Sequence, residues 1–256
     1  MKPLATELRD ADRALERLPA IQANVPRLIA RLRTYATIPP GADVLDVGAA
    51  QGVQVAALLA AGFSAVGVEP SAPARHASEL VGERVGRSVE IVAGSAERLP
   101  FADESFHLVL ANSVMEHAND PAAAASEAYR VLRLGGGFFF STTSALSPRQ
   151  REIRGFPAFP WYPDAVKRGI MRWALTNRPQ LIGHTTTPAY HWFTPRRARG
   201  LAAMAHFSAF YDRWDVRTEE GLGPLGVRAF RLARRRPVLR RLGDVFFEGS
   251  SYLFVK

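Results

Sequence analysis

Val44-Leu45-Asp46-Val47-Gly48-Ala49-Ala50-Gln51-Gly52-Val53, followed a dozen residues later by Ala65-Val66-Gly67-Val68-Glu69-Pro70, decides how this chain folds. The first run opens as an apolar strand, breaks at a glycine turn and enters a helix. The second is another strand, and it ends on an acid. This succession is how a doubly wound α/β sheet holds a ribose. A nucleoside cofactor is therefore expected.

The turn itself discriminates between cofactors. A pyrophosphate needs free backbone N–H groups and a helix N-terminus, and a carboxylate beside them would repel it. Asp46 stands there, two residues before Gly48. A G-x-G-x-x-G pattern would also need glycines where Ala50 and Val53 stand, which argues against NAD. S-adenosylmethionine has no phosphate and carries a sulfonium and an ammonium, so a nearby carboxylate attracts it. The run Asp46 to Gly52 resembles motif I, D-x-G-x-G-x-G, of the class I S-adenosylmethionine-dependent methyltransferases, with Ala50 in place of the middle glycine. That substitution implies adjusted contacts with the cofactor.

The resemblance extends over residues 41–144. Glu69 lies seventeen positions after Gly52, close to the ~20-residue spacing of a ribose-binding acid. Gly94-Ser95-Ala96-Glu97-Arg98-Leu99-Pro100-Phe101 is similar to the family's G-D-A-E-x-L-P-F segment at the adenine edge, with Ser95 where the acid usually stands. A hydroxyl still accepts a hydrogen bond there, though a weaker one. Ser105-Phe106-His107-Leu108-Val109 and Glu116-His117 resemble the fourth strand and the short element beside the transferred methyl, with His107 in the usual aspartate position. Pro121 to Leu134 reads as the following helix, and Gly135-Gly136-Gly137 leads into a fifth strand, Phe138 to Thr142. The resemblance implies a cofactor shell of Asp46, Gly48, Ala49, Ala50, Gly52, Glu69, Pro70, Ser95, Ala96, Glu97 and Asn112. It also implies S-adenosylhomocysteine as the product.

The implied fold class is α/β: a doubly wound, seven-stranded Rossmann-like methyltransferase sheet with an N-terminal helical lead-in and an insertion after strand five. One domain over 1–256 is expected, with N-terminal helices in 1–40, a cofactor-binding half in 41–144, an acceptor cap in 145–190 and the rest of the sheet in 191–256. Apolar spacing predicts two lead-in helices, 4–18 and 25–37. Val89–Ala93 reads as a strand. The 145–190 segment is rich in proline and aromatic residues, with a helix expected at 164–176. His191-Trp192-Phe193-Thr194-Pro195 then resembles the family's passage into a capped helix, Thr194 to His206, and a sixth strand from Phe207. Tyr252–Lys256 reads as the last strand, antiparallel beside the sixth.

Composition sets outer limits. At 256 residues, 47% hydrophobic and 22% charged, the chain is ordinary for a globular protein. The absence of cysteine excludes disulfides, thiolate metal ligands and a cysteine nucleophile. No uncharged apolar span of ~18 residues is present, and the N-terminus lacks a signal-type core; a nucleoside cofactor points to the cytoplasm. The net charge of +9 and pI near 10.5 come largely from arginines in the second half. Those in 224–244 alternate with leucine, valine and phenylalanine. This pattern suits either a helix packed on its own domain or an amphipathic helix on an anionic membrane. No RNA-binding module is recognisable, so nucleic acid is not the expected partner.

Displacement from a sulfonium has a good leaving group, so catalysis needs acceptor positioning and, for a hydroxyl, a base. Candidates are His117, in the matched element, and His184, Tyr190 and His191 around the insertion. No group with metal-ligand spacing is seen. The expected activity is methyl transfer to a hydroxyl or other nucleophile of a small-molecule, sugar or lipid-linked acceptor. A non-catalytic S-adenosylmethionine-binding module and an NAD-dependent oxidoreductase are the alternatives.

Overall fold

The computed structural model describes residues 2–150, 152–182, 188–217, 223–246 and 249–256, with side chains from residue 7 onward. The chain starts with one helix, α1 (Lys2–Leu32), which runs through Pro19 and Pro26 instead of the two helices expected. Each proline removes one backbone hydrogen bond. Both lie on the solvent side, while Ala11, Ala14, Val25, Ile29 and Leu32 are buried in a single stripe. The stripe stays in helical phase across both prolines, so packing holds the halves in line.

The decisive run becomes β1 (Asp43–Val47) and α2 (Val53–Ala60), and the second run becomes β2 (Ser64–Val68). α3 (Ala72–Val85) begins at the Ser71 cap, and β3 is only Ile91–Val92, shorter than the run Val89–Ala93. β4 (Phe106–Asn112), α4 (Pro121–Val131) and β5 (Leu132–Thr143) complete the first half. After the insertion come α6 (Pro195–Met204), β6 (Ala209–Tyr211), α7 (Arg213–Val216), two basic helices and β7 (Gly249–Val255). The insertion contains α5 (Asp164–Asn177), at the place the sequence indicates. The basic stretch is broken into α8 (Pro224–Arg235) and α9 (Pro237–Asp244), because the residue before a proline is driven out of the helical region and Arg236 takes φ −123°, ψ 108°.

The seven strands are ordered β3-β2-β1-β4-β5-β7-β6. β1 pairs in parallel with both β2 and β4, and β7 runs antiparallel between β5 and β6. Helices cover both faces. Ala124, Ala125 and Ala128 of α4 and Ala198 and Leu201 of α6 join Val109, Phe138, Phe140 and Phe254 in one core. Ile29 and Leu32 of α1 and Leu58 of α2 join Val44, Leu108, Leu110 and Leu253 in the other. Such double covering explains why the strands read as unbroken apolar runs.

The insertion has a core of its own, built from Ile153, Phe159, Met171, Ala174, Ile182, Ala189 and Trp192. Its two ends are stitched together at the carboxyl end of β5: Phe193 N–H donates to Thr143 O at 3.1 Å, and Ala145 N–H to Phe193 O at 2.9 Å. Lys167 is buried within it, with Nζ 2.8 Å from Asp164 Oδ1 and 4.3 Å from the centre of the Trp192 ring.

Arg130 fixes the segment 99–103 against α4. Its guanidinium donates to both oxygens of Glu127 at 2.8 Å, to Asp103 Oδ1 at 2.7 Å, and to the carbonyls of Phe101 and Leu99 at 2.8 and 3.0 Å. A lysine has one ammonium and cannot reproduce this planar fork. Arg130→Lys is expected to lower stability by about 2 kcal/mol, read as a fall of roughly 4–8 °C in Tm by calorimetry.

Candidate active site

The strand order reverses between β1 and β4, and the carboxyl ends of these strands open a crevice there. Gly48 turns the chain at the end of β1 with φ +69°, and a Cβ on it would lie 2.5 Å from Val114 Cγ2. Gly52, φ +73°, caps α2, where a Cβ would meet Val89 at 2.6 Å. Both glycines are thus required by backbone conformation and by close approach. Ala50 between them also takes a left-handed conformation, φ 47°, which costs an alanine about 1 kcal/mol. Its N–H donates to Glu69 Oε2 at 3.0 Å, a bond that helps hold it there.

Glu69 follows β2 and ties two loops together, since its Oε1 accepts the Ser71 N–H at 2.9 Å. Each carboxylate oxygen has more than one acceptor site, so both can still receive a hydroxyl. Asp46 is 3% exposed, and its carboxyl group makes no hydrogen bond among the described residues. Burial, with the Glu69 charge behind it, pushes its pKa up to about 8. A buried carboxyl beside a glycine turn is stabilised in its ionised form by a cation or by hydrogen-bond donors brought to it.

The other expected residues converge on the same edge. Ala49 is buried and donates to Val68 O at 3.0 Å, and exposed Pro70 follows Glu69. Ser95 and Ala96 lie half-buried in the turn after β3, and the Ser95 hydroxyl makes no hydrogen bond among the described residues. Glu97 accepts the Asn119 N–H at 2.7 Å, joining that turn to the loop ahead of α4. Asn112, ending β4, donates to Gln54 Oε1 and accepts from Ser141 Oγ, both at 2.8 Å, and so binds α2 and β5 to the crevice. His107 sits at the opposite, amino edge, where Nδ1 accepts the Asp43 N–H at 3.1 Å. Burial, then the Arg133 charge, lowers its pKa. The departure from the family's aspartate is confined to that edge.

The candidate bases separate. His117 is half-buried, with a buried Nδ1 that has no partner among the described residues. His191 has its Nδ1 engaged, with Arg197 Nη2 2.8 Å away. An arginine only donates, so Nδ1 must accept and the ring is neutral. Burial, then Arg197, lowers its pKa. The backbone of His191 also fastens the insertion to the loop after β4. Tyr190 shares this duty, its N–H and that of His191 donating to Glu116 O at 2.8 and 3.1 Å. His184 lies outside the described residues.

The sequence reading places Glu116 in the matched element but not among the candidate bases. It is 1% exposed, Thr142 Oγ1 donates to its Oε2 at 2.8 Å, and burial raises its pKa to about 7. The signal was the apolar pair Val114-Met115 directly before it, which draws the acid inward. Among the described residues no three His, Asp or Glu side chains are grouped to hold a metal, and no helix is long and apolar enough to cross a membrane.

Seven strands in this order, with a glycine turn and two acids at the reversal point, define a Rossmann-like methyltransferase. A family model described as a methyltransferase domain matches residues 45–140. An uncharacterized methyltransferase of Mycobacterium tuberculosis is 30% identical over 192 residues, 72% of this chain and 71% of that one. Another, of Mycolicibacterium vanbaalenii, is 39% identical over 177 residues, 68% of each chain. The fold is shared with an S-adenosylmethionine-dependent methyltransferase of Mesorhizobium loti, with a TM-score of 0.59 and 15% identity over 91% of this chain and 98% of the other. The chain belongs to the methyltransferase family.

A cationic ligand would ionise Asp46 and release its proton. Affinity for S-adenosylmethionine is expected to rise with pH between about 6 and about 8, with proton release seen by calorimetry in buffers of different ionisation enthalpy. Asp46→Asn should weaken binding about ten- to hundredfold and remove the pH dependence. The raised pKa means that the native state binds more protons than the unfolded one between the ordinary aspartate value of 3.8 and about 8. The ligand-free variant should therefore gain stability over the parent as pH rises through that window.

Proposed function

We propose that this protein transfers the methyl group of S-adenosylmethionine to a nucleophile, foremost a hydroxyl, on a small-molecule, sugar or lipid-linked acceptor held between the carboxyl edge of the sheet and residues 145–190. The observation that carries this reading is the pair of acids at the reversal point, Asp46 buried without a partner and Glu69 with acceptor sites to spare. Their chemistry fits the ammonium and ribose of that cofactor. Gly48, Ala49, Ala50 and Gly52 supply the turn against it, Ser95 and Ala96 the adenine edge, and Pro70, Glu97 and Asn112 the surround. Bound there, the cofactor supplies an electrophilic methyl on a good leaving group.

The protein's own share is to position the acceptor oxygen and take its proton. Glu116 is suited to the second task, because burial gives it a pKa of about 7, near the range where a general base works best. Thr142 orients its carboxylate. The like charge of Glu152, in the insertion, adds to the shift, which couples the base to the cap. His117 is the competing base. The cap's aromatic core favours an apolar acceptor body.

The test begins with calorimetric titration of S-adenosylhomocysteine and, in parallel, NADH, with Glu69→Ala as control. Binding of the first alone, lost in the variant, is expected; binding of NADH alone overturns the reading. In turnover with an acceptor found by screening, kcat/KM should rise with pH to a plateau above about 7. Glu116→Gln should lose about 10²–10⁴-fold together with that rise, while still binding S-adenosylhomocysteine. Loss of the rise in His117→Asn instead assigns the base to His117.

A further inference from the structure

The two basic helices carry a surface that methyl transfer does not use. Seven arginines and a single acid, Asp244, occupy 224–244. The arginines divide by direction. Arg240 reaches Asp215 at 3.2 Å and Asp212 at 3.5 Å, and Arg234 donates to Tyr35 Oη at 3.3 Å, which pins the pair of helices to the body. Phe230 stacks on Trp214, 5.6 Å between centres, and Trp214 Nε1 donates to Asp244 at 2.8 Å. Arg228, Arg235, Arg236 and Arg241 are exposed and make no ion pair among the described residues.

Between these outward arginines lie apolar side chains in water. Leu225 and Leu232, one helical face of α8, are 80% and 55% exposed. Val238, Leu242 and Phe246, four residues apart along and just past α9, are 68%, 57% and 69% exposed. Among the described residues these are five of the ten exposed large apolar side chains, within 22 of the 256 positions. The inner faces are already filled by Phe230 and Asp244, so the outer stripes are not a core awaiting closure.

We propose that the outer face of α8 and α9 docks on an anionic phospholipid bilayer, its five apolar side chains entering the interface and Arg228, Arg235, Arg236 and Arg241 meeting the headgroup phosphates. Apolar stripes bordered by arginine, on helices lying flat, are the form such contacts take. The long arginine stems let the charges rise to the headgroups while the leucines descend. A nucleic acid would satisfy the arginines and leave the stripes in water. A second copy would set arginines against arginines across a twofold axis. The insertion leaves the sheet at Thr143 and the helix pair returns to it at Gly249, and these residues are register partners. The helix pair therefore rejoins the sheet at the same edge at which the insertion leaves it.

Sedimentation of the full chain with phosphatidylglycerol–phosphatidylcholine vesicles, and with phosphatidylcholine alone, tests this without reference to methyl transfer; S-adenosylhomocysteine binding is followed separately as a measure of the folded cofactor site. The expected result is binding to the anionic vesicles only, reduced at least ~tenfold by Leu232→Glu with Leu242→Glu. A similar loss is expected from Arg228→Ser with Arg235→Ser, Arg236→Ser and Arg241→Ser, or from raising salt to ~0.5 M. Both variants should melt like the parent and keep S-adenosylhomocysteine binding. No binding to either vesicle, or binding that survives both variants, overturns the proposal. So does retention by duplex RNA or self-association, each abolished by the variants, in place of vesicle binding.

Discussion

Everything at the reacting edge depends on β1 having a parallel partner on each side. Parallel strands cannot be joined by a tight turn, so each connection must cross a face of the sheet and return. Here α2 and α3 cross on one side of β1 and α4 on the other. Loops leaving β1 and β4 therefore diverge, and the crevice between them exists before any side chain is specified. Gly48 and Val114 press together at its floor. Asp46 lies one residue inside β1, deep enough to lose water but within reach of the opening.

Much of this was legible because the informative residues obey local rules. Glycines with positive φ at 48 and 52, a proline and an N-cap at 194–195 and unbroken apolar strands each carry a signal within a few residues. The errors came where distant contacts override local ones. Pro19 and Pro26 should interrupt a helix, but the sheet and α3 hold one continuous stripe against themselves. Arg236-Pro237 breaks a pattern that periodicity alone runs together.

The site was half legible for the same reason. Residues whose backbone makes the glycine turn after β1 were found, since loops advertise themselves by glycine. Side chains whose role depends on burial were not. His191 and Glu116 look alike as titratable groups in a string. Only the fold shows that the histidine faces Arg197 while the acid is shut away with Thr142. Ala50 is the intermediate case: its departure from glycine was visible, whereas the Glu69 bond that supports it joins residues 19 positions apart.

The insertion offers its own reporter. The chain has three lysines among its 33 basic residues, and two of them, Lys2 and Lys256, stand at the ends of the sequence. The third, Lys167, is buried under Trp192 in the first turn of α5. A protease that cleaves after lysine therefore has one internal target, which it reaches only when the cap's small core comes apart. Where that core opens more readily than the whole chain unfolds, the cutting rate measures its opening. The near absence of lysine thus gives the free energy of cap opening a direct chemical clock.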